Sequence, residues 1–87
     1  MKVIFLPQAW DDYLHWQQTD KQRLRKINTL LRDCVRTPFS GIGSPEPLRH
    51  ELSGWWSRRI DEEHRLVYRV AGDDIEIAQC RYHYAKR

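Results

Sequence analysis

A chain of 87 residues has room for one domain, 1–87, with a modest core, and its 40% hydrophobic and 31% charged content fits a soluble globule and argues against disorder. Net charge is +3. Residues 1–44 hold seven Lys/Arg against four Asp/Glu, residues 45–87 hold eight against eight, and all of those last eight cations except Lys86 are arginine. That balance suggests a polyanion met through a local patch. No stretch approaches a membrane span or a signal peptide, so a cytoplasmic protein with no membrane partner is expected.

Residues 3–6, Val-Ile-Phe-Leu, read as a short, continuously apolar strand of the kind buried in the middle of a sheet. Pro7 ends it and suits the first turn of a helix. In that helix Trp10, Tyr13, Leu14 and Gln17 fall on one face, and the helical spacing makes Trp10 and Trp16 core residues rather than a stacking platform. Thr19-Asp20-Lys21-Gln22 has capping-box spacing, so one helix stops and another starts there. The second helix runs to about Arg36 on an apolar stripe of Leu24, Ile27, Leu31, Cys34 and Val35, and Thr37-Pro38 closes it. Its remaining cations read as a solvated face that would also suit RNA phosphates. A loop at 39–47 follows, whose Gly41 and Gly43 are no nucleotide-binding fingerprint, because they follow a helix and lack a third glycine.

From residue 53 onward the chain reads as three strands, 54–60, 65–70 and 75–81, separated by turns at 61–64 and 71–74. Each strand carries arginine: Arg58 and Arg59, Arg65 and Arg69, then Arg81. Guanidinium matches phosphate bidentately, so the meander is read as a phosphate-handling surface, with a plain solvated sheet face as the alternative. Cys34 and Cys80 have neither metal-site nor redox spacing and are expected as buried free thiols.

His15, His50, His64 and His83 form no metal-binding motif, and no Gly-x-Ser-x-Gly elbow occurs, so an enzyme here would need neither metal nor organic cofactor. RNA permits such chemistry, because its own 2′-hydroxyl can attack the adjacent phosphate given a base, cations at phosphorus and an acid for the leaving oxygen. Glu46, between two prolines, is the candidate base. Arg49, Arg59 and Arg65 are candidate clamps, and His83 is the candidate acid. The alternatives are a surface loop carboxylate for Glu46 and a structural or exposed histidine for His83.

Trp10-Asp11-Asp12-Tyr13-Leu14, Pro45-Glu46-Pro47-Leu48, Leu52-Ser53-Gly54-Trp55-Trp56-Ser57-Arg58-Arg59-Ile60, Glu62-Glu63-His64-Arg65-Leu66-Val67-Tyr68 and Cys80-Arg81-Tyr82-His83-Tyr84 together resemble the YoeB-type (Txe/YoeB) toxins of the RelE superfamily. The resemblance spans essentially the whole chain. It implies an α+β, RelE-like fold with two N-terminal helices packed on a twisted, mainly antiparallel sheet. It also implies the toxin of a type II toxin–antitoxin pair, a ribosome-dependent endoribonuclease that cuts messenger RNA in the A site. On the matching positions Glu46 would be the general base and Arg65 the transition-state stabiliser. His83 would be the general acid with Tyr84 in support, and Arg59 a phosphate contact. The implied partners are a YefM-like antitoxin, the bacterial ribosome with its message, and a second copy of the chain. Two departures stand out: Arg49 replaces a common lysine, and residues 85–87 extend past the usual end at Tyr84. A gyrase-poisoning inhibitor on the same scaffold, or a plain RNA-binding module, is the alternative of another class. The inhibitor would leave Glu46 and His83 without a joint role, whereas the aromatic and arginine surface would permit the RNA-binding module.

Strand register decides whether these residues can meet. A two-residue turn at Gly72-Asp73 sets Arg65 opposite Cys80, on the face away from His83. A longer turn or a bulge is needed to bring Arg65 to the side of His83.

Overall fold

A computed structural model describes residues 1–83. The chain runs β1 (Val3–Phe5), α1 (Pro7–Thr19), α2 (Lys21–Arg36), β2 (Glu46–Pro47), a 3-10 turn at His50–Leu52, β3 (Trp56–Arg59), β4 (Arg65–Ala71) and β5 (Asp74–Gln79). The strands form one sheet in the order β1-β5-β4-β3-β2, with β1 parallel to β5 and the other pairings antiparallel. Both helices pack against one face, which is the α+β arrangement expected.

The helix boundaries have local causes. Pro7 opens α1, where its fixed φ suits the first turn and its missing N–H goes unneeded. Asp20 caps α2 by accepting the Arg23 N–H at 3.1 Å, while the Thr19 hydroxyl turns back to the His15 carbonyl. The cap in this motif is therefore Asp20 rather than the threonine. On α2 the fully buried apolar residues are Ile27, Leu30 and Cys34.

Two expectations need correction. β1 lies at the sheet edge, not in its middle. Val3 and Phe5 pack on the core, but Ile4 points to the uncovered face and is 36% exposed. On α1 the buried residues are Ala9, Asp12 and Trp16, so the inward face is turned from the expected one. Trp16 is core, whereas Trp10 is 48% exposed and stacks on Tyr13 with centroids 5.9 Å apart.

The register question resolves through a bulge. The β4–β5 turn keeps two residues, Gly72 and Asp73, with Ala71 paired to Asp74 and Gly72 at φ +62. Pairing holds as far as Tyr68 with Ile77, then skips Ala78 so that Val67 meets Gln79. One extra residue in β5 turns everything after it to the opposite face. Cys80 reaches the core, and the Arg65 N–H donates to the Tyr82 carbonyl at 3.1 Å. Both cysteines are fully buried free thiols, as expected.

Candidate active site

Alternation along paired strands sorts side chains onto two faces. Trp56, Leu66, Tyr68, Ile75 and Ile77 face the helices. Glu46 pairs with Ser57, Ser57 with Val67, and Arg59 with Arg65, so Glu46, Arg59 and Arg65 share the other face. Glu46 and Arg59 are diagonal neighbours across β2 and β3, a relation that sets Cβ atoms about 7–8 Å apart.

The turn between β3 and β4 is built to hold Arg65. Asp61 Oδ1 accepts the Glu63 and His64 N–H groups at 2.9 and 2.7 Å, and its Oδ2 accepts Arg23 Nε at 2.6 Å. Burial pushes the Asp61 carboxyl up, but those N–H donors and the Arg23 guanidinium outweigh it and hold the group below its ordinary value. The folded turn then aims three carbonyls, of Asp61, Glu62 and His64, at Arg65 Nη1 at 2.7–3.1 Å. Among the described residues no hydrogen bond occupies Arg65 Nε or Nη2. Arg59 is exposed directly opposite. Facing like charges destabilise a strand pair, and an anion laid between them removes that cost.

Glu46 is exposed at the edge of the sheet, in an open cleft of about 440 Å³ lined by Glu46, Pro47, Leu48, Arg49 and His50. Its loop is pinned from beneath by Arg58. That side chain is fully buried, and its five N–H groups meet five acceptors. Nε donates to the Tyr68 hydroxyl (3.1 Å) and Nη1 to Asp33 Oδ2 (2.6 Å) and the Ile42 carbonyl (3.1 Å). Nη2 donates to the carbonyls of Thr37 (2.6 Å) and Ser40 (2.8 Å). The Tyr68 hydroxyl itself donates to the Pro38 carbonyl at 2.7 Å. The Arg58 guanidinium, with the Ile42 N–H, holds the Asp33 carboxyl below its ordinary range. Gly43, at φ +80, lies where an added Cβ would come within 2.7 Å of Leu30, and its carbonyl accepts the Arg59 N–H at 2.7 Å. The loop thus runs to Pro45-Glu46-Pro47 along a fixed path.

The arginine-rich meander therefore divides. Arg58 is a core residue that organises a loop, and Arg69 lies over Trp55 with its Nε on Glu76 at 2.7 Å. Arg81 sits over the Tyr82 ring. Of the five, Arg58 has no N–H left for a phosphate, and Arg59 and Arg65 are the two that oppose each other on the face of Glu46. The sequence does carry a signal for Arg58: Asp33, the one acid in α2, falls inside the apolar stripe.

His83 stands apart from the Glu46 cleft, in a second one of about 510 Å³ with Glu62, Glu63 and Tyr82. Glu46 comes from β2, on the far side of β3 from β4, whereas the His83 cleft is built from the β3–β4 turn and the residues that follow β5. Tyr84 lies outside the described residues. Residues given no role at the site from the sequence hold the terminal segment. Asp12 Oδ2 accepts the Cys80 N–H at 3.0 Å, Trp16 Nε1 donates to the Cys80 carbonyl at 2.8 Å, and His64 Nδ1 accepts the Tyr82 N–H at 2.7 Å. His50, with φ +58, is a further histidine in the Glu46 cleft. No group of three or more His, Cys, Asp or Glu side chains gathers among the described residues in a form that could hold a metal ion, and none of their helices is long and apolar enough to cross a membrane.

Comparison with known proteins gives consistent matches. Residues 5–84 match the family described as YoeB-like toxin of bacterial type II toxin-antitoxin system. The chain is 63% identical over 84 residues to toxin YoeB of Escherichia coli K12, covering 97% of this chain and 100% of that one. A YoeB/ParE toxin structure from Agrobacterium tumefaciens superposes with a TM-score of 0.94 at 52% identity, covering 97% of this chain and 100% of that one. The Staphylococcus aureus YoeB toxin matches both as a dimer (TM-score 0.90, 49% identity) and in complex with YefM (0.89, 48%), each covering 97% of this chain and 98% of that one.

Proposed function

The chain belongs to the YoeB-like toxins of bacterial type II toxin–antitoxin systems, and from that premise we propose that it cuts messenger RNA in the ribosomal A site. Glu46 takes the proton of the 2′-hydroxyl, whose oxygen attacks the adjacent phosphorus. Arg59 and Arg65, helped by Arg49 at the rim, hold the charge that builds on the phosphate oxygens. His83 protonates the departing 5′-oxygen, with Tyr84 in support. One product ends in a 2′,3′-cyclic phosphate and the other in a free 5′-hydroxyl. The step uses no metal ion or organic cofactor, since base, cations and acid are all side chains.

The observation that carries this reading is the Arg59–Arg65 pair set against each other on the face that bears Glu46. An in-line displacement needs its base and its acid on opposite sides of phosphorus, and Glu46 and His83 line separate clefts, which supports the division of the two roles. A gyrase-poisoning role gives that arrangement no use, and a purely RNA-binding role uses the arginines but neither Glu46 nor His83. The proposed setting is the bacterial cytoplasm, with one domain over the whole chain. A YefM-like antitoxin would cover the cleft, and a second copy would form a homodimer, as the S. aureus relatives suggest.

The test uses ribosomes programmed with message, against the same message free in solution. Wild-type protein should cut only the ribosome-bound message, and Glu46→Gln should cut ~10²–10⁴ more slowly. Equal rates for the two proteins would refute the assignment of the base.

A further inference from the structure

His64 is 6% exposed, and the reaction proposed above gives it no task. Its Nδ1 accepts the backbone N–H of Tyr82 at 2.7 Å, and a backbone amide can only donate, so Nδ1 carries no proton and the ring is the Nε2–H tautomer. That nitrogen faces Glu63 Oε1 at 3.4 Å. The ring is held edge-on to Trp16, with centroids 4.8 Å apart and planes at 77°, and Trp16 is itself bonded to the Cys80 carbonyl. His64 thus reads the chain at Tyr82, one residue before His83.

The segment it reads does not take its shape by default. Tyr82 has φ +64, a left-handed conformation in which the Cβ of a bulky residue crowds the following carbonyl oxygen. Bonds to both peptide groups that flank its Cα hold it there: the Tyr82 N–H goes to His64, and the Tyr82 carbonyl accepts from the Arg65 N–H. Gln79 Nε2 adds a bond to the Arg81 carbonyl at 2.9 Å. The left-handed turn sends the chain back toward Glu62 and Glu63, where His83 lines its cleft. Histidine and arginine are neighbours in sequence and divide the work, with Arg65 presenting its guanidinium while its backbone and the ring of His64 grip Tyr82.

The geometry points to His64 as a positioning residue for His83: its neutral Nδ1 fixes the left-handed turn at Tyr82 and so sets where the acid stands. The inference rests on the reaction proposed above, and it concerns a residue that touches neither message nor phosphate.

Two substitutions separate this role from simple packing. His64→Phe keeps a ring against Trp16 but has no acceptor. His64→Asn keeps an acceptor near the place of Nδ1 but gives up the ring. In single-turnover cleavage of ribosome-bound message, His64→Phe should lower the maximal rate about 10–100-fold, as small misplacements of a reacting group do. The ribosome concentration at half-saturation should stay the same. His64→Asn should remain within a few-fold of wild type. In the same proteins labelled with ¹⁵N, the Tyr82 amide proton should be shifted far downfield and coupled to His64 Nδ1 in the wild type. It should move upfield in His64→Phe and stay downfield in His64→Asn. Should His64→Phe fail to fold, His64→Gln replaces it, since its oxygen falls at the Nε2 position. A wild-type rate in the acceptor-free variant, equal losses in both variants, or no coupling to Tyr82 would overturn the inference. A wild-type chain that cuts no message would overturn the proposed reaction and this role with it, while the amide signal would still report whether the bond exists.

Discussion

Removing a single oxygen from the core tests how the Glu46 loop is held. The Tyr68 ring is fully buried, so Tyr68→Phe leaves the packing intact. It deletes the hydroxyl that donates to the Pro38 carbonyl and accepts from Arg58 Nε. The neutral bond is worth about 1 kcal/mol, and stranding a charged N–H in the core adds about 1.5–3 kcal/mol, for a total near 3 kcal/mol. In a domain of this size each kcal/mol moves the melting temperature about 4–8 °C, so the variant should melt about 12–24 °C lower. Near-ultraviolet circular dichroism follows the transition, since Trp16 and Tyr68 lie in the core and Tyr13 and Trp56 pack against it. A fall of less than about 4 °C would refute the reasoning, because it would mean that Arg58 does not depend on the tyrosine for its fifth acceptor.

The same burial predicts alkaline sensitivity. Burial pushes the Cys34 thiol up to about 11 and the Tyr68 phenol up to about 12. Both are neutral acids whose protons leave more readily from the unfolded chain. Their stabilising contribution is therefore complete below about pH 9 and is lost as pH rises through 11 and 12. Urea unfolding in reducing buffer should show stability falling across that window, and a flat profile would contradict it. At the acid end, the Arg23 N–H and side chain hold Asp20 below its ordinary value, as Arg58 does for Asp33. Stability should accordingly decline as pH drops through the ordinary carboxylate range, measured by the same unfolding series. Arg65→Lys should slow cleavage of ribosome-bound message by ~10²–10³, about as much as Arg65→Ala, because an ammonium supplies neither the fork for phosphate nor the geometry that meets three carbonyls. A lysine variant near the wild-type rate would contradict the bidentate role.

Much of this was legible in the residues, and what was not has physical causes. Helix ends followed from Pro7, Asp20 and Pro38, whose effects are local. The opposition of Arg59 and Arg65 depended on the β3–β4 pairing, and the path of residues 80–83 beside them on a bulge at Ala78 that no turn residue announces. Periodicity misjudged α1 because it counted bulk: Trp10, Tyr13 and Leu14 outweigh Ala9 and Asp12, yet the sheet beneath wanted a small residue and a carboxylate for the Cys80 N–H. Arginine content alone could not separate Arg58 from Arg59. Adjacent residues in a strand face opposite sides, and only the pairing shows which side is wet. The bond from His64 to Tyr82 joins residues 18 apart in sequence and arises only once the bulge has turned the terminal segment.

The central claim is that the message supplies its own nucleophile, with Glu46 as base. The most direct test is single-turnover cleavage of ribosome-bound message carrying one 2′-deoxyribose on the 5′ side of the scissile phosphate. That message should bind as before and remain uncut, while the all-ribose message yields a 2′,3′-cyclic phosphate and a 5′-hydroxyl. Cleavage of the deoxy message at the all-ribose rate, or products bearing a 5′-phosphate, would contradict the account.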